Sequence, residues 1–253
     1  MLRTRVIPAL LLRNESLVKT VRFGKFTYVG DPANTVRIFN ELEVDELLFL
    51  DITASREQHG PNLKVLADIA NECFMPLGYG GGIRSLDQAK AVFDIGFEKV
   101  AINTCAADNP ALINQIAGHY GSQAVIASID VKKGLFGKQT VHVQGGKRNT
   151  KRDPVEWAKE VEHLGAGEIL LTSIDREGTW DGFDLDLVRR VTDAVSIPVI
   201  AHGGAGKVEH IGQVVRDANA SAVALGSMVV FQKKGMGVLV NFPSQAKLKE
   251  ALR

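Results

Sequence analysis

The chain has 253 residues, 30 of them basic and 29 acidic, for a formal net charge of +1. Hydrophobic residues make up 45% and charged residues 23%, a globular balance that excludes a disordered tail, a collagen-like fibre and a coiled coil. Near-neutral charge gives no electrostatic reason to expect a nucleic-acid partner, and the two cysteines, Cys73 and Cys105, are too few for a disulfide framework or a structural zinc site.

In chain order, strand-length apolar runs fall at 5–10, 46–51, 76–79, 99–102, 124–130, 168–172, 198–201 and 222–225. Helix-like stretches alternate with them, among others at 35–43, 61–72, 86–95, 110–119, 153–164 and 185–195. Most of the short runs are continuously apolar, as strands covered on both faces of a parallel sheet are. Eight such units without a Pro/Gly/Ser-rich linker predict one (β/α)8 TIM barrel domain over residues 1–253. A doubly wound open sheet is the competing architecture. No segment holds the roughly 18 apolar residues that span a bilayer. The opening Met1-Leu2-Arg3-Thr4-Arg5 leads into an apolar run too short for a secretory leader. A cytoplasmic protein without membrane contact is the expectation.

An internal repeat supports the barrel. Glu46-Leu47-Leu48-Phe49-Leu50 resembles Glu168-Ile169-Leu170-Leu171-Thr172 at an offset of 122, and the same offset carries Gly81-Gly82 onto Gly203-Gly204. Ala101-Ile102-Asn103-Thr104 falls on Ala224-Leu225-Gly226-Ser227 at 123, and the run from Val6 to Leu11 falls on the run from Val125 to Asp130 at 119. Four blocks in one order predict two half-barrels, about 1–120 and 121–253.

The glycine clusters follow the third and seventh strands, and each is paired in the repeat with a short polar turn after the next strand. Gly81, Gly82, Asn103 and Thr104 form one candidate phosphate site, and Gly203, Gly204, Gly226 and Ser227 the other. Glycine admits an anion close to the backbone, where free N–H groups can meet it. The competing reading is that these glycines only make tight turns. Two symmetric clusters imply a ligand with a phosphate at each end.

Carboxylates stand at the same ends of the strands: Asp51, Asp130, Asp175 and Glu177. In a barrel these positions converge on the active-site mouth. Asp130 ends an apolar run where desolvation raises a carboxyl pKa and suits it to acid–base work; capping of the following loop is the alternative role for each. At the opposite ends Arg5, Glu46, Lys99 and Glu168 open their strands. Each alone reads as a solvated charge, whereas together they could form a paired ring across the barrel floor. No spacing of His, Cys and carboxylates suggests a metal, and no cofactor is expected.

These features, with DELLFLDITAS at 45–55 and GAGEILLTSIDR at 165–176, resemble the cyclase subunit family of imidazole glycerol phosphate synthase, from residue 1 to about 227. The resemblance implies a glutaminase subunit docked on the N-terminal face of the barrel. It also implies an ammonia gate formed by Arg5, Glu46, Lys99 and Glu168, and a phosphorylated substrate at the other end facing Lys19. The family pattern has an aspartate ending both the first and the fifth strand. Here Asp130 matches the second of these, but the first is Leu11, which the repeat independently pairs with Asp130. Glu177 replaces a usual aspartate and His202 a usual serine. The tail at 237–243 looks like paralogues that help amidate nucleotide-linked sugars for surface glycans. The reading is therefore an ammonia-using synthase subunit acting on a diphosphate sugar. A histidine-pathway cyclase and a non-catalytic scaffold for a glutaminase are the alternatives.

Overall fold

A computed structural model describes residues 4–253; the leader reading at 1–3 lies outside the described residues. Twelve strands form the sheet: β1 (Arg5–Arg13), β2 (Ser16–Thr20), β3 (Phe26–Gly30), β4 (Leu47–Asp51), β5 (Leu77–Gly80), β6 (Lys99–Ile102), β7 (Val125–Lys133), β8 (Gln139–Val143), β9 (Arg148–Asn149), β10 (Glu168–Ser173), β11 (Val199–His202) and β12 (Ala222–Leu225). Eight of them, β1, β4, β5, β6, β7, β10, β11 and β12, pair in parallel, each with the next. Because β12 pairs back onto β1, the ring closes into a (β/α)8 TIM barrel with helices between the strands.

Alternation along each strand sorts its side chains into two cores. Ile7, Ala9, Leu48, Ala101, Ile126, Leu170, Ile200, Ala222 and Ala224 fill the barrel interior. The neighbouring positions, among them Val6, Leu10, Phe49, Val100, Ile169 and Val223, face the helices in a larger cluster. Helices begin where the sequence supplies caps. Asp153 accepts from the Val155 and Glu156 amides at the start of Pro154–His163, with proline at the first turn, where no amide donor is needed. Asp31 and Ser85 cap Pro32–Glu41 and Leu86–Asp94 in the same way. Among the described residues no helix is long and apolar enough to cross a membrane.

The repeat reappears in the hydrogen-bond register. Leu11 pairs with Leu50 and, one half-barrel on, Asp130 pairs with Thr172. Leu50 then pairs with Gly80 as Thr172 pairs with His202, and Gly80 with Ala101 as His202 with Ala224. Leu11 therefore occupies in one half the station that Asp130 occupies in the other.

Two hairpins were not anticipated. The first strand runs on to Arg13 and pairs with β2, which pairs with β3; likewise β7 runs on to Lys133 and pairs with β8, which pairs with β9. Both arms rise from equivalent strands, so the excursions obey the same repeat. Their residues mix charged and apolar types and give no continuous apolar run.

Candidate functional site

At the N-terminal end of the barrel, Arg5, Lys99 and Glu168 are the first residues of β1, β6 and β10, and Glu46 immediately precedes β4. Their side chains close into a ring. The Arg5 guanidinium donates to Glu46 Oε2 at 2.6 Å and to Glu168 Oε1 at 2.8 Å. Lys99 Nζ donates to both Glu46 oxygens at 3.1 and 3.2 Å and to Glu168 Oε1 at 3.3 Å. Cations and anions alternate, which is how partly buried charges are kept tolerable. Burial lowers the Arg5 pKa, but the carboxylates of Glu168 and Glu46 outweigh it and hold the group above its ordinary value.

At the other end, a cavity of about 310 Å³ opens between the strand ends. Leu11, Asp51 and Asp130 line it, together with Gly81, Gly82, Asn103 and Thr104. A smaller recess beside it is lined by Lys19, Gly203, Gly204, Gly226 and Ser227. Glu177 and His202 border both. Each candidate phosphate cluster thus lies at its own cavity, with His202 at the junction. The glycines also have a steric reason to be there. Gly204 has φ +111°, and a Cβ on it would run into the Gly182 carbonyl; Gly82 has φ +68° and would meet the His59 carbonyl. Tight backbone packing demands glycine at both positions whatever they bind.

Asp130 is buried, and its carboxyl is pushed up to about 7 by desolvation, opposed by the neighbouring Thr172 hydroxyl and helped by the charge of Glu177. Asn103 Nδ2 donates to Asp130 Oδ2 at 3.2 Å and to the Ser128 carbonyl at 2.9 Å. Lys19, the fourth of the five residues of β2, is buried and paired with Glu177, and its Nζ also donates to the Thr20 carbonyl at 2.9 Å. Burial lowers the Lys19 pKa, against the opposing pull of Glu177. Glu177 further accepts from Thr20 Oγ1 at 3.0 Å and from the Phe23 amide at 3.1 Å, so it pins the first hairpin over the mouth. His202 is buried, and desolvation with the nearby Lys19 charge lowers its pKa to about 3.

The structure therefore brings Asp130, Asn103, Lys19, Glu177 and His202 around one mouth. Asp51 stands on the cavity wall, but its Oδ1 accepts from Thr53 N and Oγ1, both at 2.9 Å, and from Ala54 N at 3.0 Å, the work of a turn cap. Asp175 borders neither cavity, and its carboxylate accepts from the Lys133 amide at 2.7 Å. Sequence reasoning did not single out Thr172, whose hydroxyl lies 3.1 Å from His202 Nδ1. The repeat carried the signal, since Thr172 is the partner of the cavity-lining Leu50. Among the described residues no group of three or more His, Cys, Asp or Glu is arranged to hold a metal ion.

The chain matches a family model described as "Histidine biosynthesis protein" over residues 5–234. It is 50% identical over 248 residues, covering 98% of this chain and 99% of the relative, to a Pseudomonas aeruginosa protein provisionally named imidazole glycerol phosphate synthase subunit hisF2. A Vibrio vulnificus relative, provisionally named subunit hisF3, is 45% identical over 253 residues, with 100% and 97% coverage. The Alkaliphilus metalliredigens protein named imidazole glycerol phosphate synthase subunit HisF is 43% identical over 228 residues, 90% of each chain.

Proposed function

The chain belongs to the histidine biosynthesis protein family, and from that premise we propose that it is the ammonia-using synthase subunit of a two-component glutamine amidotransferase with a changed acceptor, a nucleotide-linked sugar. The observation that carries this reading is Leu11. It lines the cavity at the station equivalent to Asp130, where the family resemblance calls for a second carboxylate. Leucine neither transfers a proton nor accepts a hydrogen bond, and losing a positioned acid or base costs about 10²–10⁴-fold in rate.

The remaining machinery suits ammonia delivered to a bis-anionic ligand. A glutaminase subunit on the N-terminal face would release ammonia above the ring of Arg5, Glu46, Lys99 and Glu168, which acts as the gate into the barrel. The acceptor would lie across the mouth, its anionic groups at the two glycine clusters. Asp130, with a pKa near 7, can both give and take a proton at neutral pH. A histidine-pathway cyclase is the second reading, favoured by the similarity to the Alkaliphilus protein.

The test supplies glutamine labelled with ¹⁵N at the amide, the glutaminase partner and uridine-diphosphate sugars, and reads the label in the sugar by mass spectrometry. Label in the sugar product, lost in Asp130→Asn while glutamine hydrolysis is still stimulated, supports the reading. Product formation unchanged by Asp130→Asn would make the subunit a scaffold.

A further inference from the structure

His202 has a position that its neighbours make chemically specific. It ends β11 and borders both cavities. Its Nδ1 lies 3.1 Å from Thr172 Oγ1. Thr172 is also the register partner of Asp130 on the adjacent strand, which sets its side chain beside the Asp130 carboxyl on the same face of the sheet. Three side chains from three consecutive barrel strands, β7, β10 and β11, thus form one connected line. With Nδ1 engaged, Nε2 is the ring nitrogen left for a ligand.

We infer that Asp130, Thr172 and His202 form a proton relay in which His202 Nε2 meets the ligand and Asp130 stores the proton. The relay rests on the ammonia-transfer reading for its ligand, and its chemistry follows from hydrogen-bond direction. When Asp130 is ionised it can only accept, so the Thr172 hydroxyl donates to it and Thr172 Oγ1 accepts from His202 Nδ1–H. Nε2 is then a bare acceptor. When Asp130 is protonated the line reverses: Asp130 donates to Thr172, Thr172 donates to Nδ1, and the ring carries its proton on Nε2.

Transfer balances without an added reactant. Ammonia adds through its lone pair to an electrophilic carbonyl carbon of the acceptor, the C=O π pair moves onto the carbonyl oxygen, and the new C–N bond leaves a cationic nitrogen that must lose one proton. That proton passes to Nε2, the N–H bonding pair staying on the substrate nitrogen. The Nδ1 proton moves to Thr172, and the Thr172 hydroxyl proton moves to Asp130. If the protons shift in concert, the imidazole never carries a full positive charge. That suits its surroundings, where the Lys19 charge on β2 acts on the ring, itself paired with Glu177 from the loop after β10, and Thr172 holds Nδ1 with Asp130 one strand beyond. Burial and the Lys19 cation oppose an imidazolium, whereas the neutral ring can exchange tautomers freely. His202 would thereby supply at the mouth the second proton-handling group that Leu11 cannot.

Nitrogen NMR on the whole protein with ¹⁵N-labelled histidine tests this without acceptor, ammonia or partner. Failure here therefore leaves the amidotransferase reading standing, and failure of the acceptor assay leaves this result intact. His202→Gln identifies the signal among the six histidines. The expected result is a ring that stays neutral from about pH 5.5 to 8.5 and passes from the Nε2–H to the Nδ1–H tautomer as Asp130 ionises, with a midpoint near 7. Asp130→Asn and Thr172→Val should each abolish the pH-dependent change, while Thr172→Ser, which restores the hydroxyl, should retain it. A single tautomer across the range, protonation of His202 at the ordinary value of about 6.5, or a change that persists in Thr172→Val would overturn the relay.

Discussion

Asp130 ties the chemistry of the site to the stability of the protein. Its carboxyl rises from about 3.9 in an unfolded chain to about 7 in the folded one, chiefly through desolvation. Between those values the folded state holds a proton that the unfolded state has released. The contribution of this group to stability therefore falls as pH rises through that window and levels off above it. Asp130→Asn removes the ionisation. In urea unfolding it should be more stable than the parent at about pH 8, by at most roughly 4 kcal/mol, and the difference should shrink towards about pH 4. An equal difference at both pH values would mean that the carboxyl is not desolvated as described.

The strand ends carry the charged and polar groups, and the two ends carry different sets. At the floor, the charged first residues of three strands and Glu46 before a fourth make the ring. Glu46 is buried, while the Arg5 side chain keeps 28% of its exposure. Arg5→Ala would leave both carboxylates to Lys99 alone, at a cost of about 2–3 kcal/mol, below the ~3–5 for breaking a fully buried pair because Arg5 is partly solvated. In turnover assays the same variant should change the rate driven by glutamine and leave that driven by free ammonium unchanged. Equal effects on both would remove the gate from the account. The barrel strands themselves were legible in the sequence because burial on both faces leaves a continuous apolar run: 99–102 and 222–225 match residue for residue. The hairpins were not, since Ser16–Thr20 and Gln139–Val143 interleave polar and apolar residues and their pairing depends on the overrun of β1 and β7. The ring was legible only as a possibility, because a charge opening a strand reads the same whether solvated or paired; the distances decide it. Thr172 itself was marked only by its place in the repeat, since a threonine inside an apolar strand is also an ordinary β-former.

For the whole molecule, the two half-barrels repeat their register pair by pair yet differ where chemistry would be expected. Asp130 faces Thr172 and His202 in one half, and the equivalent residues in the other are Leu11, Leu50 and Gly80. At these stations the polar side chains are thus concentrated in the second half, while both halves have a glycine cluster at the mouth. The charged ring lies on the floor and the glycine clusters at the mouth, with alanines at Ala9, Ala101, Ala222 and Ala224 among the side chains of the interior between them; in the proposed reading this is the route of the nitrogen donor. Loss of one carboxylate on this otherwise retained frame is the central claim about function. Its most direct test is ammonium-driven turnover of the histidine-pathway substrate, the phosphoribulosyl formimino derivative of aminoimidazole carboxamide ribotide, by the parent and by Leu11→Asp, both confirmed folded by urea unfolding. The account predicts that the parent turns over at least about 100-fold more slowly than Leu11→Asp. A parent that works in the ordinary enzymatic range of ~1–10³ s⁻¹ and gains nothing from the added carboxylate would contradict it.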